Sequence, residues 1–273
     1  MSDYEHTGRR IEAEITADAT PQQAWEAWAD PEKLAGWFVD RAVGHGRTGE
    51  TMRWIFERFG MDMPYRVLES VPGERIVFGP GSDDLPPFVL EVTMTRTGGD
   101  TRIRLVNSGF SEDADFDAQF EGMDSGWRMA LGLLKEYLEH HFGRPKAQFL
   151  ALRPTDADLD TVLPWFTEGP KLARWLGTLT SGPRVGDPGR DVSMEMADGG
   201  SLSGRVLART GRELALSWPD VDGTLELKCF QQGPQPMLCI RGYGWGMAAE
   251  EAAAMEARMG TALERLAAAL DGA

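Results

Sequence analysis

The chain has 273 residues, of which 42% are hydrophobic and 26% charged, a composition typical of soluble globular proteins. Its net charge of −15 repels phosphate groups and argues against nucleic acid and anionic membrane surfaces as partners. Two cysteines do not build a disulfide framework, and Met1–Glu5 does not have the pattern of a secretory signal. No run approaches the ~18 apolar residues that a membrane span needs. We therefore expect a cytoplasmic protein without membrane insertion.

The first predicted elements are a strand and two short helices. Residues 9–17 alternate apolar and polar side chains, which indicates a half-buried strand. The segment Thr20-Pro21-Gln22-Gln23 combines an N-cap, a proline suited to the first helical position and a glutamine that completes a capping box. Asp30-Pro31 ends this helix and begins a second one, which ends near Trp37-Phe38. The first of the two helices carries Trp25 and Trp28.

The rest of the first half predicts a run of five or six strands and then a long helix. Alternation and turn signals place strands at 50–57, 63–71, 74–79, 87–97 and 101–108. An apolar stripe at spacings of three and four predicts the helix, which Gly143 and Pro145 end. The residues of that stripe are Phe120, Met123, Trp127, Leu131, Leu134, Leu138 and Phe142.

The second half repeats the first. Lys33–Trp37 returns as Lys171–Trp175, and Arg66–Leu68 returns as Arg205–Leu207. Met123, which lies in the helical stripe, returns as Met255. Matches in one order at one approximate period indicate two copies of one domain, at 1–145 and 146–273. The second copy predicts a strand at 147–153, short helices around Pro164 and at 170–176, strands at 191–197, 201–209, 212–218, 222–230 and 236–242, and a last helix at 248–270.

This order of elements predicts an α+β protein of two tandem helix-grip domains. Each domain would be a curved antiparallel sheet of about seven strands wrapped around a long C-terminal helix, with two short helices after the first strand. A strongly curved sheet cannot close against one helix without leaving a gap, and we expect a ligand in that gap. In the second domain, Cys229 and Cys239 flank Gly233-Pro234 and would lie opposite each other in a hairpin symmetric about Pro234.

Several motifs resemble the START-like (SRPBCC) superfamily, in the branch named for the C-terminal domain of the activator of heat-shock protein 90 ATPase. The resemblance spans about residues 9–143, and the second half is a diverged copy that lacks the Gly-Trp pair of the first long helix. It implies a hydrophobic cavity, because members bind lipids, polyketides or other apolar molecules, and some are cyclases. The motifs are Thr20-Pro21 through Trp25, Asp30–Leu34, Trp37-Phe38, Arg66–Phe78, Thr101–Leu105, Gly109-Phe110, Gly126-Trp127 and Leu131.

We therefore predict that the first domain binds a small apolar molecule, with no catalytic residue, metal or cofactor assigned. The polar members of the predicted lining, Asn107 and Tyr65, could bond to a polar end of the ligand. The predicted lining residues are Trp37, Trp54, Phe56, Tyr65, Phe78, Phe88, Asn107, Trp127 and Leu131. We expect this pocket to be larger and more aromatic than that of the second domain, whose strands offer methionine and leucine.

Two other functions stay open. One is a chaperone cofactor or another protein-interaction module, for which the acidic first half could serve docking. The other is a cyclase- or hydrolase-type enzyme, which needs an inward titratable residue such as Glu69, Asp62 or Tyr65. The histidines have no metal spacing, and the carboxylates at 112–117 lack the glycine and glutamate of a calcium loop.

Overall fold

The computed structural model describes residues 8–232 and 235–272. The chain divides into two compact units, Met1–Pro145 and Lys146–Ala273. Each unit holds a seven-stranded antiparallel sheet and a long C-terminal helix, with short helices after its first strand. The predicted α+β class and the tandem helix-grip architecture are confirmed.

The first domain has the strand order β1-β7-β6-β5-β4-β3-β2. Only the three-residue β2 was not located by the sequence pattern, because so short a strand shows no alternation. The elements are β1 (Arg9–Ala17), α1 (Pro21–Ala29), α2 (Pro31–Ala35), β2 (Arg41–Val43), β3 (Thr51–Phe56), β4 (Met61–Val71), β5 (Arg75–Pro80), β6 (Val89–Thr97), β7 (Asp100–Phe110) and α3 (Asp117–Glu136), which continues as a π-helical turn (Tyr137–His141).

Local hydrogen bonds fix the two short helices. The predicted capping box is present, because the Thr20 hydroxyl accepts from the Gln23 backbone N–H and the Gln23 side chain accepts from the Thr20 N–H. The Asp30 carboxylate accepts from the N–H groups of Glu32 and Lys33 and thereby caps α2. The segment after α2 is held against α1, since Trp37 Nε1 donates to the carbonyl of Ala27 at 2.9 Å.

The long helix α3 is buried along only part of its predicted stripe. Trp127, Leu131, Leu134 and Leu138 are buried as expected. Phe120 and Met123, nearer the helix start, are only half-buried. The first turns of α3 therefore extend past the densest part of the core. Fewer side chains cover the helix there.

The second domain repeats this topology, with the strand order β8-β14-β13-β12-β11-β10-β9. Its elements are β8 (Lys146–Pro154), α4 (Leu163–Thr167), α5 (Gly169–Leu172), β9 (Gly177–Leu179), β10 (Asp191–Met196), β11 (Ser201–Arg209), β12 (Glu213–Trp218), β13 (Gly223–Gln232), β14 (Gln235–Trp245) and α6 (Ala249–Asp271).

Two structural details recur in both domains and set the residue equivalences. The register shift in β4 between Val67 and Glu69 returns in β11 between Val206 and Ala208. The Trp37 hydrogen bond returns as one from Trp175 Nε1 to the carbonyl of Trp165, also 2.9 Å long. The repeat seen in the sequence is thus a repeat of hydrogen bonds and strand register.

The two cysteines lie on opposite faces of the second sheet. Cys229 pairs with Leu238, while Cys239 pairs with Lys228, so the true register differs by one residue from the one symmetric about Pro234. A one-residue slip turns a side chain to the other face. Both thiols are free, and burial raises the pKa of each to about 12.

The second sheet also contains a buried carboxylate held by two cations. Glu226 is fully buried, and Arg241 donates to its two oxygens at 2.9 and 2.7 Å, while Lys228 Nζ lies 3.0 Å away. Burial alone would raise the pKa of Glu226, but the charges of Arg241 and Lys228 outweigh it and lower the pKa to about 2. The carboxylate therefore stays ionised in the folded protein well below neutral pH.

Replacing this carboxylate should weaken the second domain in a pH-dependent way. We expect Glu226→Gln to lower the free energy of unfolding by about 3 kcal/mol at pH 7, because Arg241 and Lys228, both largely buried, lose the carboxylate that they share. Since the folded pKa is lower than the usual 4.5, the stabilisation by Glu226 is full above that value and is lost as the pH falls toward 2.

The measurement is urea unfolding of both proteins from neutral pH into the acid range. The difference between the wild type and Glu226→Gln should be largest at neutral pH and should shrink in acid. Glu195→Gln on β10, an exposed site, is the control and should unfold like the wild type. Equal unfolding free energies of Glu226→Gln and the wild type at neutral pH would contradict this account.

Candidate ligand-binding site

Eight aromatic side chains meet on the core face of the first sheet, and we call them the aromatic cluster. Alternation along β3 puts Trp54 and Phe56 on this face, where Trp54 lies 4.4 Å from Tyr65 and 5.1 Å from Phe78 between ring centroids. Helix α3 contributes Trp127 from the opposite side. The members are Trp28, Trp37, Phe38, Trp54, Phe56, Tyr65, Phe78 and Trp127.

Phe38 lies at the centre of the aromatic cluster. Its ring centroid is between 5.0 and 6.3 Å from the centroids of five others, and it stacks on both Trp37 and Trp127. Phe38 is nevertheless only half-buried, as are Phe56 and Tyr65. The cluster is therefore a continuous aromatic body that extends from the buried core to the protein surface.

Six of the nine predicted lining residues belong to the aromatic cluster, and three lie elsewhere. Phe88 packs on Phe110 at 4.4 Å, and Phe110 packs on Phe120, which makes a second aromatic group. Leu131 is buried on α3, one turn beyond Trp127. Asn107 reaches the cluster only through Trp127. The six members are Trp37, Trp54, Phe56, Tyr65, Phe78 and Trp127.

The structure shows what the two predicted polar residues do. The amide of Asn107 accepts from Trp127 Nε1 at 2.9 Å and donates to the carbonyl of Val89 at 3.1 Å, so both of its ends are engaged. The Tyr65 hydroxyl donates a weak bond to the sulfur of Met63 at 3.7 Å. Burial raises the pKa of Tyr65, so it is a neutral phenol at physiological pH.

The two carboxylates considered for catalysis point away from the cluster. Asp62 pairs with Arg53, and it alternates along β4 with Tyr65. Glu69 follows the register shift and pairs with Arg75 at 3.0 Å. Of the three titratable candidates, Tyr65 is the one in contact with the aromatic cluster. The described residues contain no group of three His, Cys, Asp or Glu that could hold a metal ion.

Sequence reasoning missed two central members of the cluster, Trp28 and Phe38. Trp28 was noted as part of the first short helix, and Phe38 was noted at the end of the second and in the family motif, but neither was assigned to the lining. A helix of nine residues carries too weak an apolar pattern to show which tryptophan turns inward. The adjacency of Phe38 to Trp37 was the available signal.

Two indole N–H groups in the cluster have no acceptor. Trp28 Nε1 and Trp54 Nε1 are buried without a hydrogen-bond partner in the part of the chain that the structure describes. The indoles of Trp25, Trp37 and Trp127 donate to Ser70 Oγ, to a carbonyl and to Asn107, respectively. An unsatisfied buried donor costs about 1–3 kcal/mol, so these two groups are an unusual feature of a folded core.

The second domain places smaller or aliphatic side chains at most of the equivalent positions. The shared strand register makes Trp54 equivalent to Met194, and the shared Trp37 and Trp175 hydrogen bonds make Trp28 equivalent to Phe166. The same register and hydrogen bonds pair Phe38, Phe56, Tyr65, Phe78 and Asn107 with Leu176, Met196, Gly204, Leu216 and Gly242, respectively. The sequence repeat that relates Met123 to Met255 makes Trp127 equivalent to Met259.

At the positions equivalent to the aromatic cluster, the second core therefore has mostly aliphatic side chains, and the positions equivalent to the surface end of the cluster are buried. Leu176 and Met196 are buried, whereas Phe38 and Phe56 are half-exposed. A Cβ at Gly242 would lie 2.1 Å from Phe149 Cζ, so a phenyl ring occupies the space where the first domain has Asn107. Neither Phe166 nor Met194 carries a hydrogen-bond donor.

Comparison with known proteins finds a family that the first domain resembles. Residues 18–139 match the family model described as activator of Hsp90 ATPase homolog 1-like protein. This match confirms the resemblance to that branch of the START-like superfamily which the motifs of the first half predicted. A search of curated proteins finds no match.

Solved structures with a similar fold include single-domain and two-domain proteins. The solution structure of the Aha1 dimer from Colwellia psychrerythraea is 20% identical, with a TM-score of 0.44, and covers 48% of this chain and 97% of its own. The di-domain ARO/CYC protein BexL from the BE-7585A biosynthetic pathway is 15% identical, with a TM-score of 0.46, and covers 96% and 99%. The di-domain ARO/CYC protein StfQ from the steffimycin pathway is 16% identical, with a TM-score of 0.39, and covers 96% and 98%. At these scores the similarities say nothing about function.

Helices long and apolar enough to cross a membrane are absent from the described ranges, 8–232 and 235–272.

The bond between Asn107 and Trp127 can be tested for its contribution to the core. We expect Asn107→Ala to lower the free energy of unfolding by about 1–3 kcal/mol, because Trp127 Nε1 and the carbonyl of Val89 lose their partner. Urea unfolding of Asn107→Ala, Trp127→Phe and the double variant gives the coupling energy, which should lie at about 0.5–3 kcal/mol. If the changes in unfolding free energy of the two single variants add up to that of the double variant, the bond contributes nothing to stability.

Proposed function

We propose that the first domain binds a small apolar molecule at the aromatic cluster and that binding needs no catalytic step. The observation that carries this proposal is the reach of the cluster to the surface, through the half-buried rings of Phe38, Phe56 and Tyr65. A continuous aromatic surface with an exposed end offers a flat molecule both an entry and a stacking partner.

The second domain supports the proposal by contrast. Both domains have the same topology, so the fold is satisfied when aliphatic side chains such as Met194 and Met196 stand at most of the cluster positions. The aromatic character of the first core is thus not a requirement of the architecture. Recruitment of that core for ligand binding explains why eight aromatic rings are gathered in one of two otherwise similar domains.

The absence of a catalytic assignment also has a physical basis. Of the three titratable residues considered, Asp62 and Glu69 are ion-paired away from the cluster. Tyr65 is in contact with it, but its raised pKa makes the phenol a hydrogen-bond donor and a poor base near neutral pH. Binding without turnover is the simplest activity that these groups support.

The proposal predicts binding of a neutral apolar probe to the first domain. Phenylnaphthylamine, whose fluorescence rises in apolar surroundings, should bind the full chain and quench tryptophan fluorescence. Phe56→Leu, at the half-exposed end of the cluster, should weaken binding about fivefold through loss of one aromatic contact of about 1 kcal/mol. The measurement is a fluorescence titration of each folded variant.

The matched control is Met196→Leu, which changes the equivalent residue of the second domain while conserving its volume. It should leave the affinity unchanged within about twofold. A folded wild type that does not bind the probe would contradict the proposal. So would a variant pattern in which Met196→Leu weakens binding and Phe56→Leu does not.

A further inference from the structure

We propose that the ligand of the first domain is a flat molecule with a neutral oxygen acceptor, such as a ketone, which accepts from the indole N–H groups of Trp28 and Trp54. This inference rests on the function proposed above and adds the chemical class of the ligand. It also assigns a role in specificity to Trp54, a predicted lining residue, and to Trp28, which the sequence analysis did not include in the lining.

The first step in the argument is that these two donors lack acceptors in an otherwise satisfied set. Three other tryptophans of the domain, Trp25, Trp37 and Trp127, have hydrogen-bond partners. Trp28 and Trp54 do not, and each indole nitrogen is shielded from solvent within the described structure. Since tryptophan is a donor only, an acceptor must be brought to these groups from elsewhere.

The second step is that both indole rings border the same central ring. The ring centroids of Trp28 and Trp54 lie 6.4 Å apart, and those of Phe38 lie 6.3 and 5.5 Å from them. A phenyl ring carries no lone pair in its plane, so Phe38 fills this space without satisfying either donor. A flat ring with a carbonyl oxygen could make the same contacts and accept both hydrogens, because that oxygen has two lone pairs.

The third step concerns entry. Phe38 is half-buried and lies in the turn after the short helix α2, so its ring can leave the cluster toward solvent. No hydrogen bond involves a phenyl side chain, and its departure therefore breaks only apolar contacts. A ligand that takes the position of Phe38 restores those contacts and adds hydrogen bonds that Phe38 cannot make.

The fourth step is that the fold does not need the donors. Their equivalents in the second domain are Phe166 and Met194, neither of which has a polar hydrogen. The acceptor should be neutral, because the donors are neutral dipoles and a buried ion without a counter-charge is costly. A ketone meets this condition better than a carboxylate does.

The test compares indanone with indane, which share a flat bicyclic frame and differ by one carbonyl group. Binding to the full chain is followed by two-dimensional NMR of the indole N–H resonances in nitrogen-labelled protein. Indanone should bind about tenfold more tightly than indane and should move two indole proton resonances downfield. Indane should shift resonances of the cluster without that downfield displacement.

Variants assign the two resonances and keep an aromatic ring at each position. Trp28→Phe and Trp54→Phe should each remove one displaced resonance and lower the ratio of the indanone affinity to the indane affinity. Trp25→Phe is the matched control, because its N–H already donates to Ser70, and it should keep the full preference. Phe38→Ala should strengthen binding of both probes, since the central ring no longer has to leave.

The outcomes separate the two proposals. Equal binding of indanone and indane, with no downfield displacement, would overturn the assignment of the acceptor while leaving apolar binding in place. Binding of neither probe would contradict the proposed function itself. The comparison of the two probes on the wild type gives this answer even where a tryptophan variant does not fold.

Discussion

The structure depends on a geometric constraint: one long helix covers only part of the face of a seven-stranded sheet. The remaining space must be filled by side chains from the sheet and from the two short helices, because protein interiors are close-packed. The bond from Trp37 Nε1 to the carbonyl of Ala27 fixes where the short-helix segment lies, and the bond from Trp175 does so in the second domain. The two domains then differ in the types of side chain that fill this space.

In the first domain the side chains that fill this space are aromatic, and at the equivalent positions of the second domain they are mostly aliphatic. Phe38 occupies the centre of the first core and is half-exposed, whereas its equivalent Leu176 is buried. Methionines such as Met194 and Met259 are flexible and fit irregular gaps, which explains how the second core closes with only Phe166 and Trp175 as rings at the positions of the aromatic cluster. Two domains of one fold thus fill equivalent positions with different side chains.

Much of this could be predicted from the sequence, because period-two alternation and helical spacing are local signals. They put Trp54 and Phe56 on one face and Trp127 on the buried side of α3, as the structure shows. Phe88 was assigned to the same lining but packs on Phe110, because its position depends on a loop rather than on alternation. Trp28 was missed since no local signal shows what a two-turn helix will pack against.

Polar atoms were predicted least well. Asn107 seemed free to meet a ligand, yet its amide is used by Trp127 and Val89, because hydrogen-bond partners far apart in the chain cannot be read from spacing. The cysteines of the second domain show the same limit, since a one-residue difference in register put them on opposite faces.

The central claim is that the aromatic cluster of the first domain, and not the second core, is the binding site. A crystal structure of the full chain grown with indanone tests it most directly. The account predicts indanone density beside Trp28 and Trp54, its oxygen within about 3 Å of an indole nitrogen and the Phe38 ring displaced. Indanone bound inside the second domain, or an unchanged cluster with indanone elsewhere, would contradict it.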